Sequence, residues 1–367
     1  MRVLITGHMG YIGPAMVRMF KRAGHFVGGL DTGFFRECLT SDEEIRPDTE
    51  VIKDTRHLEA DDVAGFDCIV HLAALSNDPM GELAPELTMQ INHEASVRTA
   101  RVAKATGVNR FVFASSCSLY GAATTGQALT EEAPFNPLSA YAVSKVKTEL
   151  ALRELADEHF TPVYMRNATA YGVSPRLRFD LVLNNLMAWA KTAGCIRVTS
   201  DGTPWRPLVH VEDISRAALC AAEAPQDAVH NEAFNVGRQD CNYRIREIAE
   251  AVAREVPEAS LEITGETTGD LRSYKVSFEK IAERLPGYAP QWTIERGCRE
   301  FHDWFQLRNE TVASFQSRRY IRLKQLKYLM SENRLTDTLF WTGHPVSCTD
   351  SHTDAGGLTY IRRSRLS

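Results

Sequence analysis

The sequence predicts an α/β fold, a doubly wound parallel sheet carrying a smaller α/β lobe, and three observations predict it. Short apolar runs alternate with helix-period segments from Val3 to Arg166. The first run ends in a glycine-rich turn that opens a helix. After Gly172 the alternation weakens, as it does where a second lobe is built between returning strands.

Each element has its own signal. Val3-Leu4-Ile5 is a short apolar run of the kind a buried parallel strand shows. Residues 11–23 are helical in spacing, with Ile12, Met16, Met19 and Phe20 on one face. Pro14 falls in the first turn, where a missing N–H costs little. Strands are expected at 25–30, closed by Asp31, then at 51–53, 68–72, 110–115 and 161–166. Helices are expected at 86–106 and 139–159. Beyond Gly172, helical patterns at 180–193, 214–223 and 245–255 mix with extended pieces at 196–199, 205–211, 233–236 and 260–264. Residues 315–334 carry six Lys/Arg and one acid, with Leu323, Leu326 and Met330 at helical spacing. Three readings fit them: a terminal helix packed on the body through that stripe, which we favour, a dimer contact, or an anionic-surface contact.

Composition excludes several function classes. The chain has 367 residues, 44% hydrophobic and 24% charged, with a net charge of −5, so nothing favours nucleic acid or a membrane as partner. No leader or spanning segment is expected, and the eight cysteines lack a C-x-x-C pair. Free thiols, no metal and a cytoplasmic location follow as expectations.

Gly7, Gly10 and Gly13 follow the first strand and open the first helix. Glycines there allow a tight turn, close approach of a pyrophosphate, and close helix–strand packing; Tyr11 and Ile12 lie within the same turn. The spacing is G-x-x-G-x-x-G, which alone would also fit a structural turn. Asp31, 18 residues after Gly13, ends the second strand where a carboxylate binds a ribose diol and repels a 2′-phosphate, which favours NAD. Asp54 and Thr55 can reach the adenine. Leu72, Ala73 and Ala74 let a cofactor lie on backbone, Ser115 ends the fifth strand, and Asn92 can brace the loop.

Tyr141 and Lys145 stand four apart and share a helix face. A free phenol titrates at about 10, too high for a base at neutral pH, and a neighbouring ammonium favours the phenolate. Ser116, at a strand end, can hold a substrate oxygen in line. Together the three propose a base, its activator and an orienting hydroxyl.

With these motifs on view, the chain resembles the extended short-chain dehydrogenase/reductases, in the NAD-dependent nucleotide-sugar epimerase/dehydratase branch. The resemblance runs from Met1 to about Trp304. It adds His71-Leu72-Ala73-Ala74, Ser115-Ser116 leading to Leu119-Tyr120-Gly121, and residues 206–213. It implies a Rossmann-type NAD domain at 1–173, joined by 207–236. It also implies a substrate lobe at 174–206 and 237–310; beyond it, composition alone marks a basic extension at 311–342 and a loose tail at 343–367. By resemblance Tyr141 is the catalytic base, Lys145 lowers its pKa and holds the nicotinamide ribose, and Ser116 orients the substrate hydroxyl. Asn185, Arg206 and Asp270 match substrate-diphosphate and nucleotide-ribose positions of the UDP-galactose 4-epimerases, and Arg272 is a candidate to replace the Arg that those enzymes carry three residues before that Asp. Thr169 sits in a segment, 167–170, that is less bulky than theirs. Thr267 stands where they have an Arg. The 4,6-dehydratases of the branch carry an Asp-Glu pair after the strand-end Ser/Thr; here those places hold Cys117 and Ser118. Cys117 is read as a small buried thiol, and His71 and His210 as structural.

The expected activity is therefore epimerisation of a nucleotide-diphosphate sugar by transient oxidation at C4, in a homodimer. An NADH-dependent 4-ketosugar reductase is the alternative, and a redox-sensing dinucleotide-binding protein the alternative of another class.

Overall fold

The computed structural model describes residues 1–41, 44–76, 84–122, 127–266 and 272–343. They fall into two compact units, Met1–Tyr328 and Leu329–Ser367. The basic stretch expected as one extension at 311–342 is thus divided, and its part up to Tyr328 belongs to the body. In the second unit a turn brings Leu335 into a bridge with Trp341. The tail beyond Gly343 lies outside the described residues.

The first unit is organised around a seven-stranded parallel sheet. Its strands are β1 (Arg2–Thr6), β2 (Phe26–Asp31), β3 (Thr49–Ile52), β4 (Cys68–His71), β5 (Arg110–Ser116), β6 (Thr161–Asn167) and β7 (Ala233–Val236). The spatial order is β7-β6-β5-β4-β1-β2-β3. β1 pairs with β2 on one side and β4 on the other, so the winding reverses beside β1. The crevice at that reversal, outside the carboxyl ends of the strands, is where such sheets bind ligands. Both faces are covered, which explains the unbroken apolar runs. Val3, Ile5, Val70 and Val112 point into one core, and Leu4, Ile69, Phe111 and Phe113 into the other.

The helix predicted at 86–106 is interrupted. Pro85–Met89 and Ala95–Ala105 are α-helical, joined by a π-helical turn over Gln90–Glu94. That turn carries Asn92, and local periodicity gives no warning of it. In the second lobe, Thr169–Tyr171, Trp205–His210 and Asn242–Arg244 form a three-stranded sheet, and Cys195–Val198 pairs with Ser260–Ile263. A third core fills this lobe. At its centre Phe179 lies within 4.8–6.4 Å, ring to ring, of Phe301, Trp304, Phe305, Phe315 and Tyr320. Such aromatic contacts add to area burial, and here they fix residues 315–320 to the body. No helix among the described residues is long and apolar enough to cross a membrane. The seven described cysteines are free thiols.

Candidate active site

The chain leaves β1 through Gly7, held at φ 75° with its N–H on the Leu30 carbonyl at 2.8 Å. An L side chain there would be strained and would run into the backbone of Ala73, while one at Gly13 would strike the backbone of His8. Helix α1 (Gly13–Arg22) then starts with no side-chain cap and with Pro14 near its beginning. Its first N–H groups are thus left for a ligand, and Gly10, Tyr11, Ile12 and Gly13 line the cleft. Asp31 closes the far side. Its carboxylate accepts from the N–H of Met9 at 2.9 Å and of Gly33 at 2.8 Å, so it is fixed in place while lining the cleft.

The same cleft brings together Asp54, Thr55, Leu72, Ala73, Ala74, Ser115, Ser116, Tyr141, Lys145, Thr169 and Arg272. Residues that sequence separates by up to 315 positions, from Gly7 to Arg322, thus face one space. Asp54 is held by Arg56, through side chain and N–H, at 2.7–3.0 Å. Ser115 lines the cleft, but its hydroxyl turns away and donates to Glu149 at 2.5 Å. Ser116 Oγ accepts from the N–H of Ser118 at 3.1 Å. The Ala140–Arg153 helix, capped by Ser139, presents Tyr141 and Lys145 on one face. Lys145 Nζ donates to the Ala114 carbonyl at 2.7 Å and lies 5.7 Å from the Tyr141 ring centre.

Other predicted residues are not in the cleft lining. Asn92 is fully buried; it brackets the backbone of Leu75, at 2.7 and 3.1 Å, and donates to Ser144 at 3.2 Å. It braces the strand-end loop against the helix that carries Tyr141 and is not a wall of the cleft. Asn185 donates to the Phe179 carbonyl at 2.9 Å. Arg206 bonds the carbonyls of Trp205 and Arg272. Both therefore hold loops of the lobe in this structure. Asp270 lies outside the described residues.

Two arginines in the lining were missed. Arg178 is buried and chelated by Asp180 at 2.8 and 2.9 Å, and it donates to Ser76 at 2.9 Å. Arg322 comes from the basic stretch and is 1% exposed. Phe34, Phe35, Lys53, Asn167 and Tyr274 are among the other wall residues. An Arg-x-Arg just beyond a strand end was a readable signal for Arg178; nothing local marked Arg322.

Electrostatics around the helix refine the sequence reading. Burial pushes the Lys145 amine down to about 7, and Glu149 only partly opposes this. The amine is therefore not a permanent ammonium at neutral pH, but a group that gains or loses its proton there. Behind it, Glu149 is fully buried and paired with Arg166 at 2.8 Å. Arg166 also donates to Tyr120 at 3.0 Å and to the Glu131 carbonyl at 2.8 Å. His71 bridges Thr6 and Ser96, both at 2.8 Å, and burial holds it neutral with a pKa of about 3. Cys117 is fully buried, its thiol on the Arg166 carbonyl at 3.0 Å and pushed up by burial, so it does not face the cleft.

The profile of the NAD dependent epimerase/dehydratase family matches residues 3–237. The UDP-glucose 4-epimerase of Corynebacterium glutamicum is 27% identical over 317 residues, covering 80% of this chain and 92% of that one. Among solved structures, the UDP-glucose 4-epimerase of Thermotoga maritima with UDP-glucose aligns with a TM-score of 0.71 at 22% identity, covering 84% of this chain and 99% of that one. MoeE5 in complex with UDP-glucuronic acid and NAD aligns with a TM-score of 0.72 at 24% identity, over the same shares. The chain belongs to the NAD dependent epimerase/dehydratase family, and it is an enzyme whose cofactor is NAD.

Proposed function

We propose that the protein epimerises a nucleotide-diphosphate sugar at C4. One observation carries the reading: a phenol, an amine and a hydroxyl (Tyr141, Lys145 and Ser116) line the same cleft as the glycine turn, the uncapped helix start and Asp31. The cradle fits a dinucleotide. Gly7 to Gly13 would hold the pyrophosphate and Asp31 the adenosine ribose diol, with Ala73 and Ala74 giving a flat backbone wall. Bound NAD supplies a two-electron acceptor that can also return the hydride.

The chain's own groups manage the proton. Ser116 positions the C4 hydroxyl of the sugar. Tyr141 removes its proton as the carbon is oxidised and restores it as the carbon is reduced from the opposite face. Lys145, close to the Tyr141 ring and titrating near neutrality, stabilises the phenolate when protonated. The relatives named as UDP-glucose 4-epimerases support a UDP-sugar as substrate. Loss of water is disfavoured, because Cys117 and Ser118 stand where the acid pair of a dehydratase would be, and Cys117 is buried. A homodimer paired along the catalytic helix is consistent with the half-exposed Leu138 and Leu150 beside it and on it.

The test is incubation of the purified protein, without added cofactor, with UDP-glucose, UDP-galactose, UDP-glucuronic acid and their GDP, CDP and dTDP counterparts. Isomer ratios are followed by NMR. Interconversion at C4 with no net NADH change is expected. No interconversion there, together with NADH consumed in proportion to product when NADH and a nucleotide-diphosphate 4-ketosugar are supplied, would replace this reading with the reductase.

A further inference from the structure

The stretch Val312–Tyr328 ties together two loops of the cleft. On one side Phe315 and Tyr320 sit in the aromatic cluster of Phe179, and the Phe179 N–H donates to the Tyr320 carbonyl at 3.2 Å. On the other side it grips the loop that follows Asp31. Arg319 donates twice to the Leu39 carbonyl, at 2.9 and 2.7 Å, and Gln325 donates to the Phe34 carbonyl at 3.1 Å. Arg318 pairs with Glu37 at 2.8 Å. Phe34 and Phe35 line the cleft on its Asp31 side.

Between these anchors the helix Arg322–Ser331 does something unexpected. Of the stripe predicted for it, Leu326 is fully buried and Leu323 and Met330 partly so, but Arg322 and Gln325 are fully buried beside Leu326 as well. The Arg322 guanidinium lies 5.0 Å from the Phe35 ring centre and donates to the carbonyls of Arg176, at 2.5 Å, and Arg319, at 3.2 Å. The neighbouring cations are compensated: Arg176 pairs with Glu44 at 2.9 Å and Arg178 with Asp180. Among the described residues no carboxylate pairs with Arg322. Burial pushes it down to about 10, so it stays charged at neutral pH. The carboxylate acting on it is that of Asp180, which is already chelating Arg178, so the charge of Arg322 is only partly compensated. A buried cation with so little compensation is costly unless something else supplies the charge, and Arg322 lines a cleft built for a dinucleotide.

We propose that Arg322 binds a phosphate of the dinucleotide from the Asp31 side, and that Val312–Tyr328 is a strap that must shift for the cofactor to leave. The inference rests on the cleft being the NAD site, not on the C4 reading. A sugar panel that failed would leave it standing.

The test compares full-length protein with Arg322→Met and Arg322→Lys. NAD affinity of the stripped protein is measured by calorimetry, release of bound NAD by stopped flow, and the cofactor-free melting temperature by calorimetry. Charge-assisted hydrogen bonds to a phosphate predict roughly 10- to 100-fold weaker NAD binding in Arg322→Met, expressed mainly as faster release. The cofactor-free melting temperature should be no lower than that of the unaltered protein. A merely structural arginine would give the reverse: a lower melting temperature with NAD binding kept within about twofold, and that would overturn the proposal. Should Arg322→Met not fold, Arg322→Lys decides. Severalfold weaker NAD binding at an unchanged melting temperature supports it, and unchanged binding overturns it. Two further arms fix the ligand. UDP binding to the NAD-loaded protein should not change in the variants; if UDP rather than NAD binding falls, the arginine serves the substrate and the proposal is wrong. If NADP binding alone falls, it reads a 2′-phosphate, and the proposal is again wrong.

Discussion

Replacing Lys145 by methionine separates what the amine does for chemistry from what it does to stability. Folded, the amine titrates at about 7 instead of its ordinary 10.5. The depressed value means that the unfolded chain binds a proton the folded chain holds poorly. The penalty is therefore full below about pH 7 and fades as the pH rises towards that of a free lysine. From these two values, keeping Lys145 in the fold costs about 4 kcal/mol at pH 7 and less than about 1 kcal/mol at pH 10. The hydrogen bond from Nζ to the Ala114 carbonyl, at 2.7 Å, gives back about 1 kcal/mol. Methionine, of similar length, removes both effects. Cofactor-free Lys145→Met should thus be about 3 kcal/mol more stable than the unaltered protein at pH 7. That advantage should vanish by about pH 10, while kcat falls roughly 10²- to 10⁴-fold. Urea unfolding followed by circular dichroism at the two pH values measures it. A gap that does not depend on pH, or a variant less stable at pH 7, would refute the reasoning.

Three other outcomes are expected. Tyr141→Phe should lower kcat roughly 10²- to 10⁴-fold while the NAD content of the purified protein, assayed after acid release, stays the same. Arg166→Met strands the buried Glu149 carboxylate and should cost about 3–5 kcal/mol in chemical unfolding; a loss under about 1 kcal/mol would show that the pair is not closed to water. Asp31→Ala should weaken NAD binding roughly tenfold or more and narrow the preference over NADP, measured by titration of the stripped protein with each.

What the sequence made legible was local. The parallel sheet shows as apolar runs because β1, β4, β5 and β6 are covered on both faces. The glycine turn and the Tyr141/Lys145 spacing are short-range patterns whose geometry is fixed by one strand end or one helix. The substrate side was less legible because polar residues there have two uses. Asn92, Asn185 and Arg206 each have the right chemistry for a ligand, yet each is spent on a carbonyl of its own chain. Nothing in residue type tells these uses apart; only the approach of another backbone segment does. Arg322 was illegible for the opposite reason. A stripe of leucines on a basic helix reads as its buried face, and Leu326 is indeed buried, but Gln325 and the aromatic anchors before the helix bury Arg322 too, so that a cation lines the cleft.

The central claim is that the sugar is oxidised and reduced at one carbon while Tyr141 carries the proton. It is tested most directly with UDP-galactose carrying deuterium at C4, incubated in ordinary water with the protein and no added cofactor. UDP-glucose should form with the deuterium still on C4, and the same reaction of unlabelled sugar in deuterium oxide should place none there. Loss of the label to solvent during interconversion would mean that C4 is deprotonated rather than oxidised, and would contradict the account.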